Sequence, residues 1–231
     1  MTNSATVTLN VWGEYACFTR PELKVERVSY PVITPSAARG LFEAIFWKPE
    51  MRYEVRAIGV IKSGTPMTIL RNEVGRTEGG TPFFIENERQ QRTSIVLRDV
   101  AYMISAELVL RQHAADPVQK YIEQLQRRIH RGQYHHSPCL GTREFPAHFG
   151  LADERVTEPL SFDVGPMLFD LAFIEDNARS EMTFLRHGPQ GSRVARGYAQ
   201  SLFFNASLEQ GWLHIPPEKY QELYRLEAGH V

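Results

Sequence analysis

The chain has 231 residues, with 26 Lys and Arg against 27 Asp and Glu and a formal net charge of −1 at pH 7. A nearly neutral chain excludes a uniformly basic nucleic-acid coat, so any polyanion would have to meet local basic patches. Hydrophobic residues make up 42% and charged residues 23%, which is typical of a globular protein that buries a sizeable core.

The cysteine count and the N-terminus predict a soluble protein of the cytoplasm. Two cysteines are too few for a disulfide framework, and the N-terminal stretch lacks the basic start and apolar core of a secretory signal. No apolar run reaches the ~20 residues of a membrane helix, so we expect no membrane partner.

The first 62 residues predict a strand, a helix and a second strand. Thr6 to Val11 alternate between polar and apolar residues, as in a half-buried strand. Thr34 and Pro35 suit the cap and the first residue of a helix with an apolar face. Alternation returns from Tyr53 to Lys62 and predicts the second strand.

The loop between the first strand and the helix interleaves aromatic and basic residues. Its basic residues include Arg20, Lys24 and Arg27, and its aromatic residues include Tyr15 and Tyr30. This composition suits bases stacked beside phosphates, but ordinary loop packing with solvated charges is the commoner explanation of such residues. The sequence leaves both readings open.

Residues 63–94 form a polar, glycine-rich insertion that carries Arg71, Arg76, Arg89 and Arg92. A connection of this length inside a compact domain often has a function of its own. The alternative is a surface loop that its arginines merely keep soluble. Apolar alternation from Val100 to Leu110 then predicts the strongest strand of the chain.

Positive charge and imidazole are concentrated between Arg111 and His148, which hold six Lys and Arg, three Asp and Glu, and five of the eight His. A helix is predicted to begin with Asp116 as cap and Pro117 as first residue, and to end at Gly132. The basic residues off its apolar stripe are Lys120, Arg127, Arg128 and Arg131. In a neutral chain, such a segment predicts a bound anion.

A strand near residues 143–150 would complete the order β-α-β, β-α-β. We therefore predict an α+β fold with a ferredoxin-like, RRM-like βαββαβ domain at residues 1–152. The sheet face opposite its helices would be free for a ligand. From Asp153 onward, short apolar runs between turns predict a small antiparallel β-rich subdomain at 153–231, with a frayed tail after Pro217.

Three chemistries compete for the histidine-rich segment, and two of them have weak support. His130, His135, His136 and Cys139 offer metal ligands, but zinc sites usually show paired ligands in two places. Cys139 could serve as a nucleophile with a histidine base, although a lone cysteine is more often a small buried hydrophobe.

The third chemistry is RNA binding with strand cleavage that needs no metal ion. A base takes the 2′-hydroxyl proton, a cation stabilises the phosphate and an acid protonates the leaving oxygen. Lys120 and Tyr121 lie in the first turns of the predicted helix, where the dipole also favours phosphate. The alternative is that Tyr121 packs in the hydrophobic core and that Lys120 is an ordinary solvent-exposed residue.

Five stretches carry a family resemblance: VWGEYACFTRPELKVERVSY, TPSAARGLFEAIFWKP, RNEV at Arg71 to Val74, KYIEQLQRRIHRGQYHHSPCLGTREFPAHF and SLFFNASLEQGWLHIP. Through these stretches the chain resembles the CRISPR-associated RAMP proteins of the Cas-five family, type I-C (Dvulg) subtype. The resemblance implies a ferredoxin-like RAMP domain and an endoribonuclease that cuts the CRISPR repeat transcript at its hairpin without cofactor or metal ion.

The resemblance also implies partners. The protein would stay on the 5′ handle of the crRNA, beside the backbone and large subunits of the surveillance (Cascade) complex for antiviral defence. Target DNA is a further candidate partner. The alternative is a structural subunit that binds the handle without cutting RNA.

The family pattern has a Tyr in the first helix and a Lys-His pair in the second, where this chain has Phe46 and Lys120-Tyr121. By resemblance, Lys120 stabilises the phosphate, Tyr121 supplies the lost phenol, and His135 or His136 moves the other proton. The residues expected to contact RNA are Arg20, Lys24, Arg27, Arg71, Arg76, Arg127, Arg128, Arg131 and Arg143.

Overall fold

The computed structural model describes residues 3–74, 84 and 89–228. The helices of this part of the chain are α1 (Pro35–Ile45), α2 (Val118–His130) and α3 (Pro217–Ala228). Its strands are β1 (Ser4–Ala16), β2 (Met51–Lys62), β3 (Thr65–Val74), β4 (Arg89–Leu110), β5 (His148–Leu151), β6 (Phe162–Glu175), β7 (Met182–Gly188), β8 (Gly191–Glu209) and β9 (Trp212–His214). Within these residues, no helix has the length and apolarity needed to cross a bilayer.

The strands form one antiparallel sheet in the order β5-β1-β4-β2-β9-β8-β6, with β3 added to β4 and β7 added to β8. Leu9 of β1 lies opposite Ile104 of β4 on one side and opposite Leu151 of β5 on the other. Strand β9 pairs with both β2 and β8, so main-chain hydrogen bonds join the two halves of the chain. The mixed α/β class predicted from the sequence is confirmed.

Helix α1 forms where its cap and apolar spacing predict. The Thr34 hydroxyl accepts a hydrogen bond from the Ala37 N–H at 3.3 Å, which satisfies one of the free donors of the first turn. The predicted apolar face is buried, and Phe42 stacks on Tyr53 of β2 with ring centroids 5.0 Å apart. The helix therefore covers the sheet between β2 and β6.

The start of α2 differs from the prediction. Pro117 takes the cap position and no side chain caps the helix, because Asp116 pairs with Lys120 instead. The predicted end is confirmed, since Gly132 has a φ of 62°, a left-handed conformation that glycine adopts without steric cost.

The insertion predicted at residues 63–94 forms strands over most of the part that is described and is not a surface loop there. Strand β3 pairs with the first half of β4, from Thr65 opposite Arg98 to Val74 opposite Arg89. The strand signal is weak because no β3 residue is fully buried, so polar residues occupy both faces. Arg76 lies outside the described residues.

The prediction of a frayed tail after Pro217 is also wrong, because the chain forms helix α3 there. Only Tyr220 and Leu223 of this helix are buried, so its apolar pattern is too sparse to read from sequence. Tertiary hydrogen bonds hold it instead: the Tyr220 hydroxyl accepts from the Val55 N–H at 2.7 Å, and the Tyr224 hydroxyl donates to Glu54 at 3.0 Å.

The sheet face opposite α1 and α2 is not free, in contrast to the prediction. Residues 152–161 follow β5, and part of this segment lies against this face. Asn10 donates from its side-chain amide to the Asp153 carboxylate at 2.7 Å. Further along, a Cβ atom at Gly59 would lie 2.9 Å from the Thr157 methyl, which shows how closely the segment approaches β2.

We expect Tyr220→Phe to lower the free energy of unfolding by about 1–3 kcal/mol, because the buried Val55 N–H would lose its acceptor. Denaturant unfolding measures this change. The control Tyr134→Phe alters an exposed side chain and should change stability by less than about 0.5 kcal/mol. Equal stability of wild type and Tyr220→Phe would show that this hydrogen bond does not hold α3.

Candidate nucleic-acid interface

Lys120 lies in the first turn of α2, where the helix dipole favours a negative ligand. Its side chain is 62% exposed, and its ammonium is 2.8 Å from a carboxylate oxygen of Asp116. An exposed ion pair of this kind contributes only about 0–1 kcal/mol, so a phosphate can replace Asp116 at little cost. The ammonium group of Lys120 is therefore placed where it can contact a phosphodiester group.

Tyr121 is turned away from solvent. The residue is 2% exposed, and its hydroxyl donates a hydrogen bond to Glu50 at 3.0 Å. The Lys48 ammonium lies 5.1 Å from the centre of its ring. Burial and the Glu50 hydrogen bond raise the pKa of Tyr121 to about 12, so at neutral pH the phenol holds its proton and has a partner.

His135 and His136 lie beyond the opposite end of α2. Both main-chain N–H groups donate to the Ala44 carbonyl of α1, at 2.8 and 3.1 Å, and both side chains are exposed. From Lys120 to His130, the last residue of the helix, the axial rise is about 15 Å. The structure thus separates the predicted catalytic residues into two places, with Lys120 at one end of α2 and the histidine pair past the other.

Three arginines of the α2 segment have different environments. Arg127 and Arg131 are exposed, and neither forms an ion pair with any residue that the structure describes. Arg128 instead donates to the Ile45 carbonyl at 2.7 Å and stacks over Phe46, with its Cζ atom 5.4 Å from the ring centre. Arg128 therefore ties α2 to the end of α1, and only Arg127 and Arg131 are available to phosphates.

The predicted RNA contacts near β3 are largely occupied by acidic partners. Arg71 is 16% exposed and lies 2.6 Å from Glu73, and Arg27 lies 2.8 Å from Glu144. Among the other predicted contacts, Arg20 stacks on the Tyr30 ring, while Lys24 and Arg143 are exposed. Arg127, Arg131, Arg143 and Lys24 are thus the predicted contacts most open to RNA.

Three residues that lie near the Lys120 end of α2 were not selected from the sequence, namely Trp47, Arg111 and His187. The Arg111 N–H donates to the Glu50 carbonyl at 2.8 Å, and the Trp47 and His187 rings lie 5.0 Å apart. No local pattern marks His187, which lies in the chain 140 residues after Trp47 and reaches it only through the β7–β8 hairpin.

The two other chemistries considered for this segment find little support. Among residues 3–74, 84 and 89–228, no group of three His, Cys, Asp or Glu side chains is arranged to hold a metal ion. Burial raises the pKa of the Cys139 thiol, which disfavours the thiolate that a nucleophile needs.

Two of the solved structures with a similar fold cover nearly the whole chain. A crystal structure described as a CRISPR-associated protein matches with a TM-score of 0.64 and 21% identity, covering 95% of both chains. A functionally uncharacterized protein from Streptococcus mutans matches with a TM-score of 0.61 and 18% identity, covering 93% of this chain and 94% of that one. At these identities the likeness concerns the fold alone.

Sequence relatives are closer. A protein of Thermus thermophilus, named CRISPR pre-crRNA endoribonuclease Cas5d, is 64% identical over 228 residues, which cover 98% of each chain. A protein of the same name from Mannheimia succiniciproducens is 38% identical, covering 95% of this chain and 98% of that one. A family model described as CRISPR-associated protein (Cas_Cas5) matches residues 6–214. The chain therefore belongs to the CRISPR-associated Cas5 family.

Proposed function

We propose that this protein is an endoribonuclease that cuts the CRISPR repeat transcript and then remains bound to the 5′ handle of the crRNA. The observation that carries the proposal is the 64% identity, over 98% of both chains, to a relative named for the processing of pre-crRNA. The geometry adds an exposed lysine at a helix N-terminus and two exposed arginines on the same helix.

The scaffold of the proposal is a ferredoxin-like RAMP domain over about residues 1–152, followed by a β-rich C-terminal part. The order β-α-β, β-α-β of β1, α1, β2, β4, α2 and β5 supports it, as does their fully antiparallel pairing. Because part of the segment 152–161 lies against the sheet face, we place RNA along α2 and the loops around it.

Lys120 is the proposed cation of the cleavage step. The 2′-hydroxyl of the scissile nucleotide gives its proton to water as its oxygen attacks the adjacent phosphorus. The bond from phosphorus to the 5′-oxygen breaks and that oxygen takes a proton from water, which leaves a 2′,3′-cyclic phosphate and a 5′-hydroxyl. Negative charge on the phosphoryl oxygens grows during this attack, and a lysine at a helix N-terminus stabilises it electrostatically. This chemistry requires no metal ion.

Tyr121 has a different proposed role from the one expected in the sequence. The Tyr121 hydroxyl is buried and donates a hydrogen bond to Glu50, and its pKa is raised to about 12. At neutral pH the phenol therefore keeps its own proton and cannot act as a base. We assign Tyr121 to positioning Lys120 through the packing of α2. His135 and His136, past the far end of the helix, would then contact the RNA strand at a different phosphate from Lys120.

The proposed partners follow from the family. The protein would act in the cytoplasm, beside the backbone and large subunits of a type I-C surveillance complex, with target DNA as a further candidate ligand. A second function is favoured by two observations: Phe46 lacks a hydroxyl, and the Tyr121 hydroxyl is buried. On that reading the chain binds the handle as a structural subunit without cutting RNA.

We expect the purified protein to cut repeat RNA once, at the hairpin base, in the presence of EDTA. Lys120→Ala should slow cleavage by about 10²–10³, the usual loss when one stabilising group is removed from a developing oxyanion. A 2′-deoxy substitution at the scissile nucleotide should block the cut, and Cys139→Ala should not slow it. A cut that requires a divalent ion would contradict the mechanism, and RNA binding without any cut would favour the structural subunit.

We expect Tyr121→Phe to retain cleavage within about tenfold of wild type, equivalent to less than ~1.4 kcal/mol. Loss of a group that transfers a proton would instead slow the reaction by about 10²–10⁴. Single-turnover rates measured across neutral pH separate the two cases, with thermal unfolding as the check that the variant is folded. A cleavage rate lower by about 10²–10⁴-fold in folded Tyr121→Phe would show that Tyr121 transfers a proton.

We expect reversal of Arg127 and Arg131 to glutamate to flatten the salt dependence of RNA affinity. Each phosphate contact on a single strand contributes a slope of about −0.7, so two lost contacts should change the slope by ~1.4. Fluorescence anisotropy over a range of salt concentrations measures it. Arg225→Glu, on the exposed side of α3, is the control and should leave the slope unchanged. The same slope in all three proteins would remove α2 from the RNA interface.

A further inference from the structure

A basic cavity lies between the end of β4, strand β7 and helix α3, apart from the exposed face of α2. Its volume is 230 Å³, and we refer to it as the Arg111 cleft. The residues that line it are Arg111, Phe173, Phe184, Leu185, Arg186, His187 and Glu227. Aromatic and aliphatic side chains form its walls around two half-buried guanidinium groups, and the cleft is open to solvent beside the exposed Leu185.

Arg111 is a half-buried cation with an incomplete set of partners. Its Nε atom is buried and has no hydrogen-bond partner among the described residues, and its Nη1 atom donates only a long hydrogen bond, of 3.4 Å, to the His187 carbonyl. Burial, followed by the positive charge of Arg52, lowers the pKa of Arg111. An arginine nevertheless stays charged at physiological pH, so the cleft carries a charge that lacks a full counterion.

The other charged groups of the cleft do not supply that counterion. Arg186 donates to the main-chain carbonyls of Phe173 and Glu227, at 2.7 and 2.6 Å, and so adds positive charge. Glu227 is the carboxylate that lines the cleft; burial raises its pKa, and its charge only partly offsets the lowered pKa of Arg111. Two guanidinium groups thus face one carboxylate that burial destabilises.

His187 gives the cleft a second hydrogen-bonding group. Its Nδ1 atom lies 2.7 Å from the Ser192 hydroxyl, an interaction that fixes the ring, and burial followed by the charge of Arg111 lowers its pKa. Arg193, the other charged residue of the adjacent turn, is engaged with Glu175 at 2.7 Å. The nearby charge that acts on the imidazole is therefore the cation Arg111.

We propose that the Arg111 cleft binds one phosphate group of the RNA strand, with Arg111 as the principal cation and His187 as a second hydrogen-bond partner. A volume of 230 Å³ is several times the ~30 Å³ share of one water, so a phosphate and a few waters fit. Guanidinium is the side chain best suited to phosphate oxygens. The site deepens the proposed function and rests on it for the identity of the ligand.

The position of the cleft relative to Lys120 supports RNA as the source of the phosphate. The His187 ring contacts Trp47, and the following residue, Lys48, lies over the Tyr121 ring beside Lys120. A strand that places one phosphate at Lys120 can therefore pass over the half-exposed Trp47 indole, on which a base can stack, before it reaches the cleft.

The first test is the salt dependence of affinity for repeat RNA. Arg111→Gln should flatten the slope by about 0.7, the contribution of one phosphate, and Arg111→Lys should restore most of it because the charge is kept. The matched control Arg196→Gln removes an exposed arginine of β8 and should not change the slope. An unchanged slope in folded Arg111→Gln would overturn the proposal.

The second test follows the His187 ring by NMR while inorganic phosphate is added, with the signal assigned from His187→Gln. A bound anion offsets the charge of Arg111, so phosphate should raise the pKa of His187, and Arg111→Gln should abolish the effect. A response to phosphate without a change in the RNA slope would assign the cleft to a free phosphate compound and overturn the RNA proposal. No response in either test would show that Arg111 and His187 have a structural role only, and would overturn the proposal.

Failure of this proposal and failure of the proposed function can be told apart. A wild-type protein that cuts repeat RNA while Arg111→Gln keeps the full salt slope would refute the cleft alone. A protein that never cuts RNA but loses about 0.7 of slope in Arg111→Gln would refute cleavage and retain the phosphate site.

Discussion

The buried ion pair between Arg39 of α1 and Asp170 of β6 joins the two halves of the molecule. The guanidinium donates two hydrogen bonds of 2.8 Å to the carboxylate, and the Asp170 side chain is 4% exposed. Loss of Arg39 would leave the buried Asp170 carboxylate uncompensated, whereas loss of Asp170 would leave Arg39 with Glu43 at 2.6 Å. The pair therefore acts less as a source of stability than as a requirement that α1 lie against β6. With α1 fixed, the segment after it, from Phe46 to Glu50, runs along α2 and sets which α2 side chains are exposed.

The sequence predicted those elements whose signals are local. The Thr34 cap and the apolar spacing of α1 and α2 arise within one helix, and both helices were found. Strand β3 and helix α3 were missed because their stability comes from distant partners. For α3 the partner is the Val55 N–H, 165 residues away in the chain, and no window of sequence contains both groups.

The same division explains which parts of the site could be read from the sequence. A basic residue in the first turn of a helix is a local feature, so the sequence could single out Lys120, whose side chain is 62% exposed. Whether Tyr121 faces the RNA depends on Glu50, and whether His135 approaches Lys120 depends on the length and direction of α2. These are tertiary facts. The contact of His187 with the Trp47 loop is of the same kind and carried no sequence signal at all.

The distribution of counterions decides which basic residues of this neutral chain can meet RNA. An arginine such as Arg71, already 2.6 Å from Glu73, must give up that carboxylate before it gains from a phosphate, so its net contribution is small. Exposed Arg127 loses little except hydration and counterions, and contributes mainly to the salt-dependent part of affinity. Arg111 differs from both, because part of its desolvation has already occurred on folding and its buried Nε atom has no partner among the described residues. A phosphate at Arg111 therefore recovers free energy that the folded protein has lost, and it meets a charge that water screens less than the charge of an exposed arginine.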